Sequence, residues 1–280
     1  MKQSNSTTSS VLLPACLAPA AVFFVCFWLL PVVKLMTLPA SADTGLATYW
    51  VVLSNPRYLM SLAQTVSLSL AVTAVTLVLG GAVGIYLARH NFWGKRLLSS
   101  LLALPLSFPG VIIGFFMILL GGRQGLIADI TDWAGWGRFT FAYGLLGLFL
   151  AYLYFSLPRA ITTYTAAAAA MDRQLEEAAR SLGASRFRVI RDVWLPDLAP
   201  TTLACGAIVF ATSMGAFGTA FTLATKFEVL PITIYNEFTN YANFTVAASL
   251  SIALGLMTWL VLFVARKLGS ESSSKGVLSA

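Results

Sequence analysis

Long apolar runs separated by short polar stretches dominate the chain. Six runs contain no Asp, Glu, Lys or Arg, and each is long enough for the ~20 residues that a helix needs to cross a bilayer. Helices satisfy their own backbone hydrogen bonds in lipid, and these runs do not alternate as the strands of a barrel do. The pattern predicts an all-α, polytopic membrane protein with six transmembrane helices. The predicted spans are 11–33, 58–88, 97–122, 139–158, 198–225 and 241–265.

Composition agrees with this pattern. The chain has 280 residues, of which 58% are hydrophobic and 10% are charged, whereas a soluble domain carries about 25% charged residues. We expect a disordered cytoplasmic N-terminus at 1–10 and a first span with its outer loop at 11–57. A core with five spans follows at 58–268, interrupted by an inner loop at 161–197, and a flexible tail occupies 269–280.

The basic residues predict the orientation of the chain. If both termini are cytoplasmic, 13 of the 18 Lys and Arg residues lie in inner segments and 5 in outer ones. Such a bias is the usual signature of inner loops. The net charge of +7 then reflects topology, and its division among separate loops argues against binding to nucleic acid.

Ionisable residues are scarce where a transport or catalytic mechanism would need them. The predicted spans contain no acid and no Lys, and Arg159 follows Pro158 at the inner end of the fourth span. This disfavours an ion-coupled carrier or a channel, although backbone carbonyls can also bind Na⁺ and the class stays open. One His and 11 scattered acids predict no catalytic residue and no metal site. No Gly-x4-Gly-Lys-Ser/Thr phosphate loop is present, so any ATPase would be a separate chain.

The inner loop contains two helical patterns. Five alanines at 166–170 favour continued helix, and Asp172 is a candidate N-cap for a short helix after them. Two charged pairs, Arg173–Glu177 and Glu176–Arg180, have helical i, i+4 spacing. Gly183 suits the left-handed position after the helix. One apolar stripe joins Leu175, Ala178, Ala179 and Leu182.

A second short helix is predicted to begin at Ser185 and to stop at Pro196. Phe187, Ile190 and Trp194 would line one face of it. Two interpretations remain open. The helices either lie on the membrane surface with their arginines at lipid phosphates, or they form a protruding element that docks on another protein.

The motif in this loop favours docking. Glu177-Ala178-Ala179, Gly183, Val193 and Leu195-Pro196 resemble the EAA signature of permease subunits of bacterial ATP-binding-cassette (ABC) importers of type I, with Val193 in place of the usual Ile. The resemblance implies a multi-pass inner-membrane permease that is not itself an enzyme and binds no cofactor. It also implies two ATP-binding subunits that carry ATP and Mg²⁺, a second permease and a periplasmic solute-binding protein. The implied ATPase-coupling residues are Leu175, Glu177, Ala178, Ala179, Leu182, Gly183, Leu195 and Pro196.

A candidate translocation path combines a predicted helix break with a Gly-rich segment. Pro105 and Pro109 predict the break, and small or polar residues flank Phe217 in the fifth span. Helix packing through glycine is the simpler alternative. Glycine pairs with close-packing spacing occur at 80/84, 110/114, 144/147 and 215/218. The candidate path residues are Pro105, Ser107, Pro109, Ser213, Met214, Gly215, Phe217, Gly218 and Thr219.

The last outer loop is a candidate surface for the binding protein, through Glu228, Tyr235 and Glu237. A solvated loop is the alternative. The segments 104–122 and 215–241 resemble the group of permeases that serves polyamines. This resemblance and the two carboxylates lead us to expect a polyamine substrate such as spermidine or putrescine. Phosphonate, iron(III), thiamine or an oxyanion are the alternatives for the same machinery.

Overall fold

The computed structural model describes residues 17–41, 45, 47–224 and 227–278. Helices account for its regular structure, and no strand occurs in these ranges. The predicted N-terminal segment 1–10 and Lys226 lie outside the described residues. Twelve helices are labelled here in chain order within those ranges. They are α1 Leu17–Ala40, α2 Ala47–Ser54, α3 Pro56–Arg89, α4 Lys95–Ala103, α5 Gly110–Gly121, α6 Leu126–Trp133, α7 Leu145–Ala170, α8 Arg173–Ser181, α9 Arg186–Met214, α10 Phe217–Leu223, α11 Leu230–Tyr235 and α12 Phe244–Leu278.

Six stretches of the described chain are long and apolar enough to cross a membrane, as predicted. Five of them are the single helices α1, α3, α7, α9 and α12, and the sixth is Gly110–Trp133. That stretch consists of α5 and α6 with a turn between them. Apolar side chains such as Leu70 and Leu119 are exposed on the outer faces of the helices. This is the surface that a bilayer would cover.

The bounds of several predicted spans are wrong. The third predicted span divides at its prolines into α4, a 3₁₀ turn at Leu104–Ser107 and α5. The membrane-length stretch shifts to Gly110–Trp133 and includes Asp129 and Asp132. The predicted tail from residue 269 is helical through Leu278. The predicted break between Pro105 and Pro109 is confirmed, since Phe108 is extended between the 3₁₀ turn and α5.

The chain forms two compact units. In the described chain, the first contains the residues up to Tyr58 together with Ile234–Ala253. The second contains Leu59–Thr233 and the residues from Leu254 onward. The core of the second unit is formed by side chains of α3, α7, α9 and α10. Its fully buried members include Val72, Leu148, Tyr152, Val209 and Leu223.

Two glycine pairs allow helices of this second unit to approach closely. On α3, a Cβ on Gly80 would lie 2.5 Å from Ala160 Cβ, and one on Gly84 would lie 2.6 Å from Tyr164 Cβ. On α5, a Cβ on Gly110 would lie 2.9 Å from Thr219 Oγ1. In the other two predicted pairs, Gly147 faces the backbone of Ala142 just before its own helix and Gly215 is not tightly packed against another helix. Gly218 does allow a close approach, because a Cβ there would lie 3.1 Å from Val111 on α5.

Hydrogen bonds reinforce this packing. Tyr164 on α7 donates to Thr202 Oγ1 on α9 at 2.9 Å. Thr219 on α10 donates to the carbonyl of Gly110 at 3.0 Å. The backbone N–H of Leu230 donates to Thr65 Oγ1 on α3 at 2.8 Å. Each bond joins elements that are distant in sequence, and the bond from Thr219 to Gly110 ties α10 to the start of α5 beside the helix break.

Candidate functional site

The inner loop folds into two short helical segments joined by a glycine elbow, and residues 172–196 are here called the knob. Asp172 caps α8 by accepting from the N–H of Gln174 at 2.9 Å. Gly183 has φ +81° and donates to the carbonyl of Arg180 at 2.9 Å, while Ala184 donates to the carbonyl of Ala179 at 3.1 Å. These two bonds are the Schellman arrangement that closes a helix on a left-handed residue. The predicted caps of α8 are confirmed.

The apolar stripe of the knob is left uncovered. Leu182 is 89% exposed, and Leu175 and Leu195 are 58% and 60% exposed. Glu177, Ala178, Gly183 and Pro196 are also exposed, and Ala179 is partly buried. Phe187, from the predicted face of the second segment, is 74% exposed. All the implied coupling residues therefore lie on or beside an accessible surface.

Glu176 connects the knob to the transmembrane helices. It accepts from Arg180 at 2.7 Å, as its spacing predicts, and also pairs with Arg89 at 3.5 Å. Arg89 ends α3 and lies 5.4 Å from the ring centroid of Trp194 on α9. The side chains of Arg89 and Glu176 are only 13% and 15% exposed. The predicted Arg173–Glu177 pair does not occur among the ion pairs of the described chain.

Ser185 caps the second segment by accepting from the N–H of Arg188 at 3.4 Å, as predicted. The prediction that Pro196 ends this helix is wrong, because α9 continues to Met214. A π-helical turn at Ile190–Trp194 precedes the proline, and Leu195 donates to the carbonyl of Ile190 there. Proline normally clashes with the carbonyl four residues earlier. The wider turn relieves that clash, so the knob passes directly into a membrane-length helix.

A cavity of about 390 Å³ lies in the second unit, beside the helix break. Five predicted path residues line it, namely Pro105, Gly215, Phe217, Gly218 and Thr219. Six further lining residues lie within the two predicted segments but were not named individually, and they are Leu106, Phe108, Gly110, Ile113, Thr212 and Ala216. Phe155 and Arg159 were not predicted. The cavity is near the lower end of the roughly 300–1,000 Å³ that is typical of ligand sites.

Four predicted path residues are not among those that line the cavity. Ser107 and Pro109 flank Phe108, which does line it. Ser213 and Met214 are buried in the core at 1% and 0% exposure. Thr212 lines the cavity, and successive residues of a helix point about 100° apart. Ser213 and Met214 are therefore turned away from the cavity that their neighbour faces.

Arg159 has a different position from the one predicted. It lies within α7, with 14 residues before it and 11 after it in that helix. At 1.5 Å per residue it is about 21 Å from one end and about 16 Å from the other. The charge-free run ended at Pro158, but the helix continues through the alanines at 166–170. Those alanines were the signal that could have moved the predicted end of this span.

The candidate surface for a binding protein is less exposed than predicted. Glu237 is 5% exposed, and Tyr58 donates to its Oε1 at 2.9 Å. Glu228 and Tyr235 are partly buried. The expectation of an exposed Glu237 is wrong, because the π-helical turn at Asn236–Asn240 directs this side chain to the tyrosine of its own unit.

Comparison with known proteins defines the class. Residues 80–268 match the family described as binding-protein-dependent transport system inner membrane component. The match covers more than half of the chain, which therefore belongs to this family. The chain is a multi-pass inner-membrane permease subunit of an ABC importer, as the EAA resemblance implied.

Two similar proteins are permease subunits of named transport systems. The chain is 33% identical over 223 residues to the molybdenum transport system permease protein ModB of Escherichia coli strain K12, covering 75% of this chain and 94% of the relative. It is 28% identical over 244 residues to the sulfate transport system permease protein CysT of the same strain, covering 85% and 86%. These relatives do not support the expected polyamine substrate, and the oxyanion alternative is closer to them.

Solved structures agree with the fold. A chain of a bacterial alginate ABC transporter, in complex with an alginate pentasaccharide-bound periplasmic protein, superposes with a TM-score of 0.79 at 17% identity and covers 92% of this chain and 93% of that one. A chain of the MetNI methionine ABC transporter in an inward-facing conformation superposes with a TM-score of 0.58 at 20% identity, covering 75% and 93%. The fold is that of a type I ABC importer permease.

Proposed function

We propose that the chain forms half of the membrane path of an ATP-driven importer for a small oxyanion of the molybdate or sulfate kind. The relatives with molybdenum and sulfate in their names support the substrate class. The uncovered apolar stripe of the knob carries the proposed coupling. A stripe that includes a leucine at 89% exposure is stabilised by burial against a partner, at about 25 cal/mol per Å² of apolar surface.

In the proposed assembly, the knob occupies a groove on one of two separate ATP-binding subunits, which hold ATP and Mg²⁺. A second permease, identical or different, completes the path, and a periplasmic binding protein delivers the solute. The distribution of Lys and Arg supports cytoplasmic termini and a cytoplasmic knob. Glu177 is exposed and is positioned to meet a basic group of the ATPase, while Glu176 joins the knob to Arg89 at the end of α3.

Reconstitution tests this proposal. The full complex of the permease pair, its ATP-binding subunits and its periplasmic binding protein is placed in proteoliposomes. We expect ATP-dependent uptake of radiolabelled molybdate or sulfate and none of putrescine. Uptake of putrescine alone would overturn the substrate class. Uptake that proceeds without the ATPase subunits would overturn ATP coupling and favour a carrier or channel.

A further inference from the structure

We infer that Arg159 is the residue that holds the oxyanion during its passage through the cavity beside the helix break. This inference rests on the proposed function, since it assigns a binding site to the proposed substrate. It adds a specificity-determining residue to a path whose predicted members were all neutral.

The charge of Arg159 is costly where it lies. Arg159 lies deep within a membrane-length helix and is partly buried. No ion pair or hydrogen bond joins its guanidinium to another residue in the part of the chain that the structure describes. A cation at this depth is costly in lipid, and such residues usually face a water-filled cavity and serve transport. Here the cavity is present and Arg159 lines it.

The lining of the cavity carries an unbalanced positive charge. Arg159 is the only ionisable side chain among the described residues that line the cavity, and no carboxylate accompanies it. The local potential is therefore positive. A guanidinium presents five N–H donors in a planar fork that fits two oxygens of a tetrahedral oxyanion. A polyamine would be repelled by the same group.

The other side chains of the lining are neutral. The hydroxyl groups of Thr212 and Thr219 donate to helix carbonyls, so their protons are already used and the side-chain donors that face the cavity belong to Arg159. The rings of Phe108, Phe155 and Phe217 also line the cavity. Apolar walls strengthen a charge-assisted hydrogen bond, because they lower the local dielectric constant. One cation with aromatic walls suits transient binding of a single small anion.

The test compares uptake by the reconstituted complex for Arg159→Gln, Arg159→Lys and a matched control. Arg123→Gln removes an exposed arginine from the turn after α5, outside the cavity. We expect molybdate or sulfate uptake to fall at least tenfold for Arg159→Gln and two- to fivefold for Arg159→Lys, with Arg123→Gln at the wild-type rate. ATPase stimulation by the loaded binding protein should persist in all three, which a purely structural role of Arg159 would not predict.

A second pair of variants covers the case in which Arg159→Gln fails to assemble. Thr212→Asp places a carboxylate in the cavity with Arg159 intact, and Thr212→Asn has the same shape without the charge. We expect Thr212→Asp to lose at least tenfold more oxyanion uptake than Thr212→Asn. Equal uptake by these two variants, or wild-type uptake by Arg159→Gln, would overturn the inference and leave the proposed function intact. If the wild-type complex imports no oxyanion, the proposed function fails first, and the inference fails with it.

Discussion

The knob and the crossing of α5 with α10 both depend on glycine, but for opposite physical reasons. Gly183 in the knob has φ +81°, and a Cβ there would meet nothing within 4 Å. Gly114 on α5 is an ordinary helical residue, but a Cβ there would overlap Thr222 of α10. The knob requires glycine for its backbone conformation, and the crossing requires it for space. One region presents an exposed surface, whereas the other is already packed.

Gly114→Ala is the substitution from which we expect the largest loss of stability. The new methyl group overlaps Thr222 and overpacks the crossing, which we expect to cost about 1–3 kcal/mol and to lower the thermal midpoint in detergent. Gly255→Ala is the matched control, because a Cβ on Gly255 would meet nothing within 4 Å. Adding Thr222→Ala should recover part of the loss. Equal thermal midpoints for Gly114→Ala and Gly255→Ala would show that a methyl group fits between α5 and α10.

Leu182→Asp should have the reverse profile. Because this side chain is 89% exposed, the fold should lose almost nothing, while the charge disrupts the docking surface. We expect at least a tenfold loss of ATP-driven uptake with an unchanged thermal midpoint. Trp93→Asp changes another exposed side chain outside the knob and should leave uptake within twofold. Normal uptake by Leu182→Asp would contradict docking through the apolar stripe.

Substitutions at Gly183 separate conformation from charge. Alanine in the left-handed region costs about 1–2 kcal/mol, so Gly183→Ala should reduce uptake severalfold. Asparagine tolerates this region better, and Gly183→Asn should keep more uptake than Gly183→Ala. Gly183→Asp adds a charge at the elbow and should uncouple ATP hydrolysis from uptake. Equal uptake by Gly183→Ala and Gly183→Asn would show that the left-handed conformation of this residue does not limit coupling.

The smallest expected effect concerns the connection between the knob and the spans. Arg89→Gln removes the partner of Glu176 on α3, and we expect a two- to fivefold loss of uptake with ATPase activity maintained. Arg180→Gln removes the more exposed partner and should change uptake by less, since exposed pairs contribute only about 0–1 kcal/mol. A larger loss of uptake for Arg180→Gln than for Arg89→Gln would show that the pair with Arg89 is not the main connection between the knob and the transmembrane helices.

Local features of the knob could be predicted because their causes are local. Asp172, Gly183 and Ser185 form the predicted caps, and each depends only on residues within one turn. Arg159 was misplaced because the limits of its span were taken from a charge-free run. That criterion assumes that lipid surrounds the helix, and it fails where a helix faces an internal cavity. The prediction that Pro196 ends the helix failed for another reason, because the π-helical turn that accommodates the proline cannot be inferred from residue spacing.

The continuity of α9 has a mechanical consequence. Arg186 in the knob and Thr212 at the cavity belong to one helix, and at 1.5 Å per residue they are about 39 Å apart along its axis. A rotation of about 5° around one end of such a rod moves the other end by about 3 Å. Because the π-helical turn allows Pro196 to lie within a helix, that rod is unbroken. In the proposed assembly, a small tilt imposed at the knob is thus transmitted along α9 to the cavity.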